Sequence, residues 1–193
     1  MESFDGVTAP ALPAGWVAIN DTIGMPDPTM WVTTTDTSDT PPNNAFLPDQ
    51  DGISDKYLIS RNINVTSAAA TLSFRNNFNT EMSGGVFWDG YVVEVSSPNI
   101  NGGDFTDVTD PAVGGSIPVG GYTGEIDSTA ENPLAGRMAW SGNSGGYINT
   151  MVNLGPNVNG QTIKLRFRMG TDEATSAPGG HIDTFSFTGA SCP

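Results

Sequence analysis

Cysteine and histidine are almost absent from this 193-residue chain, which holds one of each, Cys192 and His181. An internal disulfide therefore cannot form, and one histidine with one cysteine cannot make a conventional zinc site. Cys192 lies near the end of the sequence. It is either a free thiol on a frayed tail or a sign that the chain belongs to a longer protein.

Basic residues are also scarce: 7 lysines and arginines stand against 21 acidic residues, for a formal net charge of −14. Such a charge repels phosphate backbones and anionic membranes, so we expect no nucleic-acid partner. No apolar run approaches the roughly 20 residues that a membrane span needs, so we also expect no membrane insertion. Residues 1–20 lack signal-peptide character. The acidity suits a protein that holds divalent cations or lies outside the cell; if the protein is secreted, we expect that its signal has been cut off or replaced by Met1.

The clearest pattern in the chain is a strand over residues 161–169. Ile163, Leu165, Phe167 and Met169 alternate with polar residues in a strict period of two. One face must therefore meet a core, whereas the face with Lys164, Arg166 and Arg168 is predicted to be solvated and paired with acids.

Glycine (24) and proline (14) are plentiful, as in chains of many short strands joined by tight turns. We predict an all-β fold with no significant helix, an antiparallel β-sandwich of jelly-roll type with about eleven strands. No internal boundary is visible, so residues 1–193 are predicted to form a single domain, a module of a longer secreted protein. Residues 110–135 are predicted to be a mobile surface loop. The other predicted strands cover residues 16–19, 30–34, 56–60, 70–78, 91–95, 104–108, 138–140, 147–154 and 182–187.

Several short motifs follow one another in an order that resembles a known group of proteins. They are Phe4-Asp5-Gly6, residues 12–16, Asp49 to Asp55 before Tyr57-Leu58, residues 101–105, 132–137 and 139–142, and His181-Ile182-Asp183. Their succession resembles secreted bacterial jelly-roll modules similar to the MAM domain, to cleaved-adhesin domains and to accessory domains of immune-inhibitor-A-like metallopeptidases.

This resemblance implies a non-catalytic, calcium-bearing sandwich attached to a larger extracellular protein. In such modules an acidic residue after the first Phe and an Asp in the last strand meet at one cation, which here corresponds to Asp5 and Asp183. The usual Glu is replaced by the shorter Asp5. The group is functionally mixed, so it leaves open adhesion, glycan binding and structural support.

Calcium is also indicated by the residues themselves, because Asp49, Asp51 and Asp55 lie within seven positions around Gly52. Ca²⁺ takes six to eight oxygen ligands, often from loops that bend around it. The alternative is an acidic surface turn in which Asp55 caps the next strand. Asp183, expected on the same face as Phe185 and Phe187, needs a counter-charge from a cation, Arg75 or Arg137. Weaker candidates of the same kind are Glu81, Asp89 and Asp172.

Two catalytic patterns are present but incomplete. Residues 142–146 fit the G-x-S-x-G motif around Ser144, yet the only histidine, His181, falls in a predicted strand, and the motif's strand–turn–helix context is absent. Glu94 with Glu125 could form a glycosidase pair, although sequence spacing does not give their separation in space. We therefore expect no enzyme.

Aromatic side chains on loops are the remaining candidates for a ligand site. Trp88 and Tyr122 have loop contexts and could stack on a glycan, whereas the other tryptophans have strand-like contexts typical of a core. The predicted partner is a polysaccharide or a cell-surface or protein partner. The alternative is a module that self-assembles, or that joins other domains of a parent chain without a ligand of its own.

Overall fold

Within residues 1–23, 28–129 and 131–192, the parts that the computed structural model describes, the chain forms seventeen β-strands and two single-turn 3-10 helices (Asn101–Gly103 and Pro156–Val158). The strands are β1 (Val17–Asn20), β2 (Val32–Thr34), β3 (Asn44–Asp49), β4 (Ser54–Ile59), β5 (Ile63–Val65), β6 (Thr71–Asn79), β7 (Met82–Ser83), β8 (Val86–Phe87), β9 (Gly90–Ser96), β10 (Thr106–Asp107), β11 (Ser116–Val119), β12 (Gly124–Glu125), β13 (Met138–Ala139), β14 (Ile148–Asn153), β15 (Thr162–Thr171), β16 (Ala177–Thr188) and β17 (Ala190–Ser191).

Two antiparallel sheets enclose the main core. In the seven-stranded sheet the order is β1-β4-β15-β5-β17, with β9 on the other side of β15 and β10 beside β9. The six-stranded sheet has the order β11-β14-β6-β16-β3-β2, and β7-β8 and β12-β13 form small ribbons. The predicted antiparallel sandwich is confirmed. Neither 3-10 turn within the described residues is long enough to cross a membrane.

Strand β15 lies where its period predicts, at the centre of the seven-stranded sheet. Its apolar residues Ile163, Leu165, Phe167 and Met169 are all buried. The ring of Phe167 packs edge-on against Phe74 on β6 and Phe185 on β16, in the opposite sheet. The period-two pattern thus identified the strand that holds the two layers together.

The basic face of β15 is more enclosed than predicted. Arg166 lies 4.4 Å from the ring centroids of both Tyr57 and Phe105, and its Nε donates to Glu94 at 2.5 Å. Arg168 pairs with Asp55. The arginines are therefore held between aromatic rings and carboxylates, and only Lys164 remains a solvated side chain.

Residues 110–129 and 131–135 are more structured than the predicted surface loop. They include β11 and β12, and with the following ribbon strand they build a second small core of Val92, Ile126, Leu134 and Ala139. Val92 projects from β9 on the side opposite the main core. The apolar residues in this segment are separated by turns rather than by a regular period, so no pattern in the sequence revealed the cluster.

Candidate functional site

Four carboxylates from distant parts of the chain meet at one end of the sandwich. Asp49 ends β3, Glu81 and Asp89 stand on either side of the β7–β8 ribbon, and Asp172 directly follows β15. The antiparallel register places these ends together, since Asp49 is paired with Ala177 and β6 ends beside the start of β16. These four residues are called the acidic cluster below.

Backbone and amide donors fix the position of the acidic cluster. The Glu81 amide donates to Asp49 Oδ2 at 2.8 Å, and the Asp172 amide donates to Asp89 Oδ1 at 2.7 Å. One ligating oxygen from each of Glu81, Asp89 and Asp172 lies within 4.8 Å of the others. Asp49 adjoins these three residues, since its carboxylate raises the pKa of Asp89 and the Asp172 charge raises the pKa of Asp49. The four carboxyl groups therefore form one compact group.

Three oxygen atoms in the acidic cluster are buried without a hydrogen-bond partner within the described parts of the chain: Asp49 Oδ1, Glu81 Oε2 and Asp89 Oδ2. The residues Asp49 and Asp89 are 1% and 0% exposed. A buried polar atom that makes no hydrogen bond costs about 1–3 kcal/mol, and more when it is charged. A bound cation, or a proton retained by one of the carboxyl groups, would relieve this cost.

The electrostatics of the acidic cluster lead to the same conclusion. Burial raises the pKa of Asp89 well above its usual range, and the neighbouring Asp49 carboxylate raises it further. Burial also raises the pKa of Asp49 and of Glu81, and the Asp172 charge adds to both shifts. The five arginines form ion pairs with acids outside the cluster, and the two lysines are Lys56, which is fully buried on β4, and the exposed Lys164.

The donor set of the acidic cluster fits Ca²⁺ best. Calcium binds carboxylate and carbonyl oxygens at 2.3–2.6 Å, so its ligand atoms lie up to about 5 Å apart. Mg²⁺ keeps several waters and uses one or two carboxylates, whereas Zn²⁺ takes histidine and cysteine ligands. An all-carboxylate site supplied by four chain segments is therefore suited to calcium.

Of the three predicted ligands in the 49–55 segment, only Asp49 contributes to the acidic cluster. Asp51 is exposed. Asp55 accepts two hydrogen bonds from Arg168, at 2.8 and 2.7 Å, and a third from the Tyr57 hydroxyl. Strand β3 continues to Asp49 and β4 begins at Ser54, so the two strands direct the side chains of Asp49 and Asp55 into different surroundings.

Asp5 and Asp183 both hold the loop between β2 and β3. Asp5 Oδ1 accepts from the Asn43 amide at 2.9 Å. Asp183 Oδ2 accepts from the Thr40 amide at 2.8 Å, and its other oxygen accepts from the Thr184 amide at 2.6 Å. Backbone amides thus make the contacts for which the sequence predicted a shared cation.

The predicted orientation of Asp183 was wrong, because β16 contains a register shift between Asp183 and Ser186. Thr184, inside the shift, has a positive φ of 50°. The expectation that Asp183 shares a face with Phe185 assumed an uninterrupted strand. Neither proposed arginine neutralises it: Arg75 pairs with Asp39 at 3.0 Å, and Arg137 pairs with Glu94 and Asp107.

The two loop aromatics predicted for ligand stacking have different surroundings. Tyr122 packs its ring edge-on against Trp140, and its hydroxyl lies against the backbone of Val93 and the Asp107 carboxylate. Tyr122 therefore anchors its loop. Trp88 is half-buried and directly precedes Asp89, a residue of the acidic cluster.

Asn132 is a positioning residue that the sequence did not identify as part of the site. Its Nδ2 donates to the carbonyl oxygens of Trp88 (2.7 Å) and Gly170 (2.9 Å) and lies 3.2 Å from Asp89 Oδ1. Its Oδ1 accepts from the Leu134 amide. In the sequence, Asn132 belongs to the 132–137 motif. Its contacts join that loop to the chain segments that carry Asp89 and Asp172.

The two catalytic patterns are engaged in structural contacts. Ser144 Oγ accepts from the Phe78 amide at 2.9 Å, and His181 Nδ1 lies 2.9 Å from Asn44 Oδ1. Glu94 is held by Arg137 and Arg166 at 2.7 and 2.5 Å, whereas Glu125 is exposed. Each residue thus has a local structural partner or is solvated.

Comparisons with known proteins identify the fold and no family. No protein-family model matches the chain, and no curated protein matches it. Solved structures similar to it include a cleaved adhesin domain of Lys-gingipain from Porphyromonas gingivalis, at 16% identity over 97% of this chain and 95% of that one, with a TM-score of 0.51.

A second similar structure comes from a study of carbohydrate-binding modules of the β-sandwich superfamily. It is 10% identical, covers 96% of this chain and 60% of that chain, and has a TM-score of 0.51. A carbohydrate-binding module in complex with β-1,4-galactotriose is 11% identical over 91% and 88%, with a TM-score of 0.49. At these identities the likeness establishes a β-sandwich of the kind found in binding modules and adhesin domains.

Proposed function

We propose that this chain is a non-catalytic extracellular binding module that folds around Ca²⁺ and takes a polysaccharide as its partner. The observation that carries the metal half is the acidic cluster, in which Asp49 and Asp89 are buried with oxygens that no donor satisfies. Burying several carboxyl groups together opposes their ionisation and costs folding free energy, and a bound cation compensates this cost.

The ion in this proposal is structural. Its ligands would come from the ends of β3 and β15 and from both sides of the β7–β8 ribbon, so bound calcium would cross-link both main sheets. Because the unfolded chain has no preformed site, the binding free energy adds directly to folding stability. The residues themselves bind and orient the ion, and no chemical step is required of it.

The binding half of the proposal is supported by the kind of sandwich and by the chemistry of its surface. The fold is shared with a carbohydrate-binding module and with an adhesin domain, and the charge of −14 disfavours polyanionic partners.

Ser144 is engaged by the Phe78 backbone, so we expect no labelling of this serine by a fluorophosphonate probe.

Two measurements on the full chain test the two halves separately. Isothermal titration calorimetry should show that one Ca²⁺ binds per chain, and Asp89→Asn should abolish this binding. A pull-down on a panel of insoluble polysaccharides should show retention on at least one uncharged polymer. Unchanged calcium binding in Asp89→Asn would refute the proposed site, and no retention on any polymer would refute the proposed partner.

A further inference from the structure

The outward face of the six-stranded sheet carries a row of four half-buried side chains that the fold does not need for its core. His181 on β16 is paired with Phe46 on β3 and with Asn77 on β6, and Phe46 is paired with Val32 on β2. The row crosses four adjacent strands. At about 4.8 Å per strand it spans roughly 14 Å. It is called the outer strip below.

Two rings at the centre of the outer strip are stacked on each other and form its apolar part. The Phe46 and His181 rings are stacked, with centroids 4.5 Å apart and an interplanar angle of 25°. Burial lowers the pKa of His181 to about 4, so the imidazole is uncharged at neutral pH. A neutral stacked pair on a sheet face offers apolar contact without attracting or repelling ions.

The neighbouring Asn44 determines which imidazole nitrogen carries the proton. Asn44 Nδ2 donates to the carbonyl oxygens of Thr34 and Asp36, so its Oδ1 is the atom 2.9 Å from His181 Nδ1. An amide oxygen only accepts, so Nδ1 must donate and Nε2 must keep a free lone pair. The strip therefore contains a fixed hydrogen-bond acceptor beside its apolar rings.

Asn77 supplies the complementary donor. Its Oδ1 lies 3.2 Å from Ser144 Oγ, which leaves the Nδ2 protons without a partner among the described residues. Next to the strip, Arg75 forms a salt bridge with Asp39 at 3.0 Å, so the two charges neutralise each other. Thr40, bonded to Asp183, fixes the loop that borders the strip. The outer strip thus combines an apolar ring pair, an acceptor and a donor, with no formal charge of its own.

We propose that the outer strip is the surface on which this module binds an uncharged polysaccharide, with sugar rings against Phe46 and hydroxyls on His181 Nε2 and Asn77 Nδ2. This inference rests on the proposed function and adds the location and the class of ligand. Sugars present apolar C–H faces together with hydroxyls that both donate and accept, which is the combination the strip satisfies. A polyanion would gain nothing from the strip and would be repelled by the acidic surface.

The test uses the calcium-loaded full chain and soluble uncharged polysaccharides, galactan, mannan, xylan and β-glucan, with alginate as the anionic comparison. By analogy with stacking on other aromatic side chains, Phe46→Ala should weaken binding about 10-fold or more. Met151→Ala is the matched control, because Met151 is an exposed apolar residue on the same sheet outside the strip. It should leave affinity unchanged.

Nitrogen-detected NMR of the unmodified protein gives a readout that does not depend on a variant's folding. The free protein should show His181 with a protonated Nδ1, and the ligand should shift the His181 Nε2 and Asn77 side-chain signals. The strip would be refuted as the binding surface if the ligand shifted only the Trp88 indole signal, or if Trp88→Ala abolished binding while Phe46→Ala did not. Either result would leave the proposed function standing. Binding of alginate alone would overturn the ligand class. No binding to any of these polymers would overturn this inference together with the proposed partner.

Discussion

Replacing Asp89 with asparagine should change stability in opposite directions with and without calcium. Asn keeps the shape of the side chain and can keep the two hydrogen bonds that Asp89 Oδ1 accepts, from the Asp172 amide and from Asn132. Its new amide group would replace the unpartnered Oδ2 and can donate to Asp49. One carboxylate is removed from the acidic cluster at little cost in packing.

The expected magnitude follows from linkage. Calcium at a hundred times its dissociation constant adds about 2.7 kcal/mol to the stability of the wild-type protein. For a chain of this size that corresponds to a melting temperature higher by roughly 5–10 °C. In Asp89→Asn most of this gain should be lost. In excess chelator the variant should be as stable as wild type or more so, by up to about 1–3 kcal/mol, because the amide replaces a carboxyl group whose ionisation burial opposes and can donate to Asp49.

The assay is thermal unfolding of both proteins, followed by circular dichroism in calcium and in excess chelator. Asp51→Asn is the matched control, because Asp51 is an exposed carboxylate outside the acidic cluster, and it should behave as wild type. If Asp89→Asn lowered the melting temperature equally in both conditions, Asp89 would be a structural hydrogen-bond acceptor and the metal site would be refuted.

Three further predictions concern the surroundings of the site. Asn132→Ala removes the donor to the Trp88 and Gly170 carbonyls and should cost about 2 kcal/mol in urea unfolding; a change below 0.5 kcal/mol would show that this residue positions nothing. Glu94→Gln removes the carboxylate that pairs with Arg166 and leaves Arg137 with Asp107 alone, so it should cost about 3 kcal/mol, whereas exposed Glu125→Gln should be neutral; equal effects would contradict the buried network. In chelator, the free energy of unfolding should fall by at most about 3 kcal/mol as pH rises from about 4 to 6. The reason is that burial raises the pKa of Asp49 from 3.8 to about 6, so the folded state keeps a proton that the unfolded state has released. Asp49→Asn should remove this contribution to the pH dependence, and an unchanged pH dependence would contradict the account.

Much of the fold could be predicted from the sequence because β15 and β6 have an unbroken period of two. Short strands were harder. Strand β3 contains Pro48 and lacks a long alternation, and β11 lies in a glycine- and proline-rich segment, so both were missed. Two- and three-residue strands carry too few positions to show a period, which explains why about eleven strands were predicted where more are formed.

The site could be predicted only in part, because proximity in sequence was taken for proximity in space. Asp49 and Asp55 are six residues apart, yet the turn between β3 and β4 sends one into the acidic cluster and the other to Arg168. Asp89 and Asp172 meet only through the antiparallel register of distant strands. The register shift at Thr184 likewise has no pattern of its own, so the orientation of Asp183 could not be derived.

The central claim is that the acidic cluster holds calcium, and a crystal structure of the protein grown in calcium, with anomalous diffraction data, tests it most directly. The account predicts one anomalous peak at 2.3–2.6 Å from carboxylate oxygens of Asp49, Glu81, Asp89 and Asp172. Well-ordered density for these four side chains with no peak among them at saturating calcium, or a peak only at Asp51 or between Asp5 and Asp183, would contradict it.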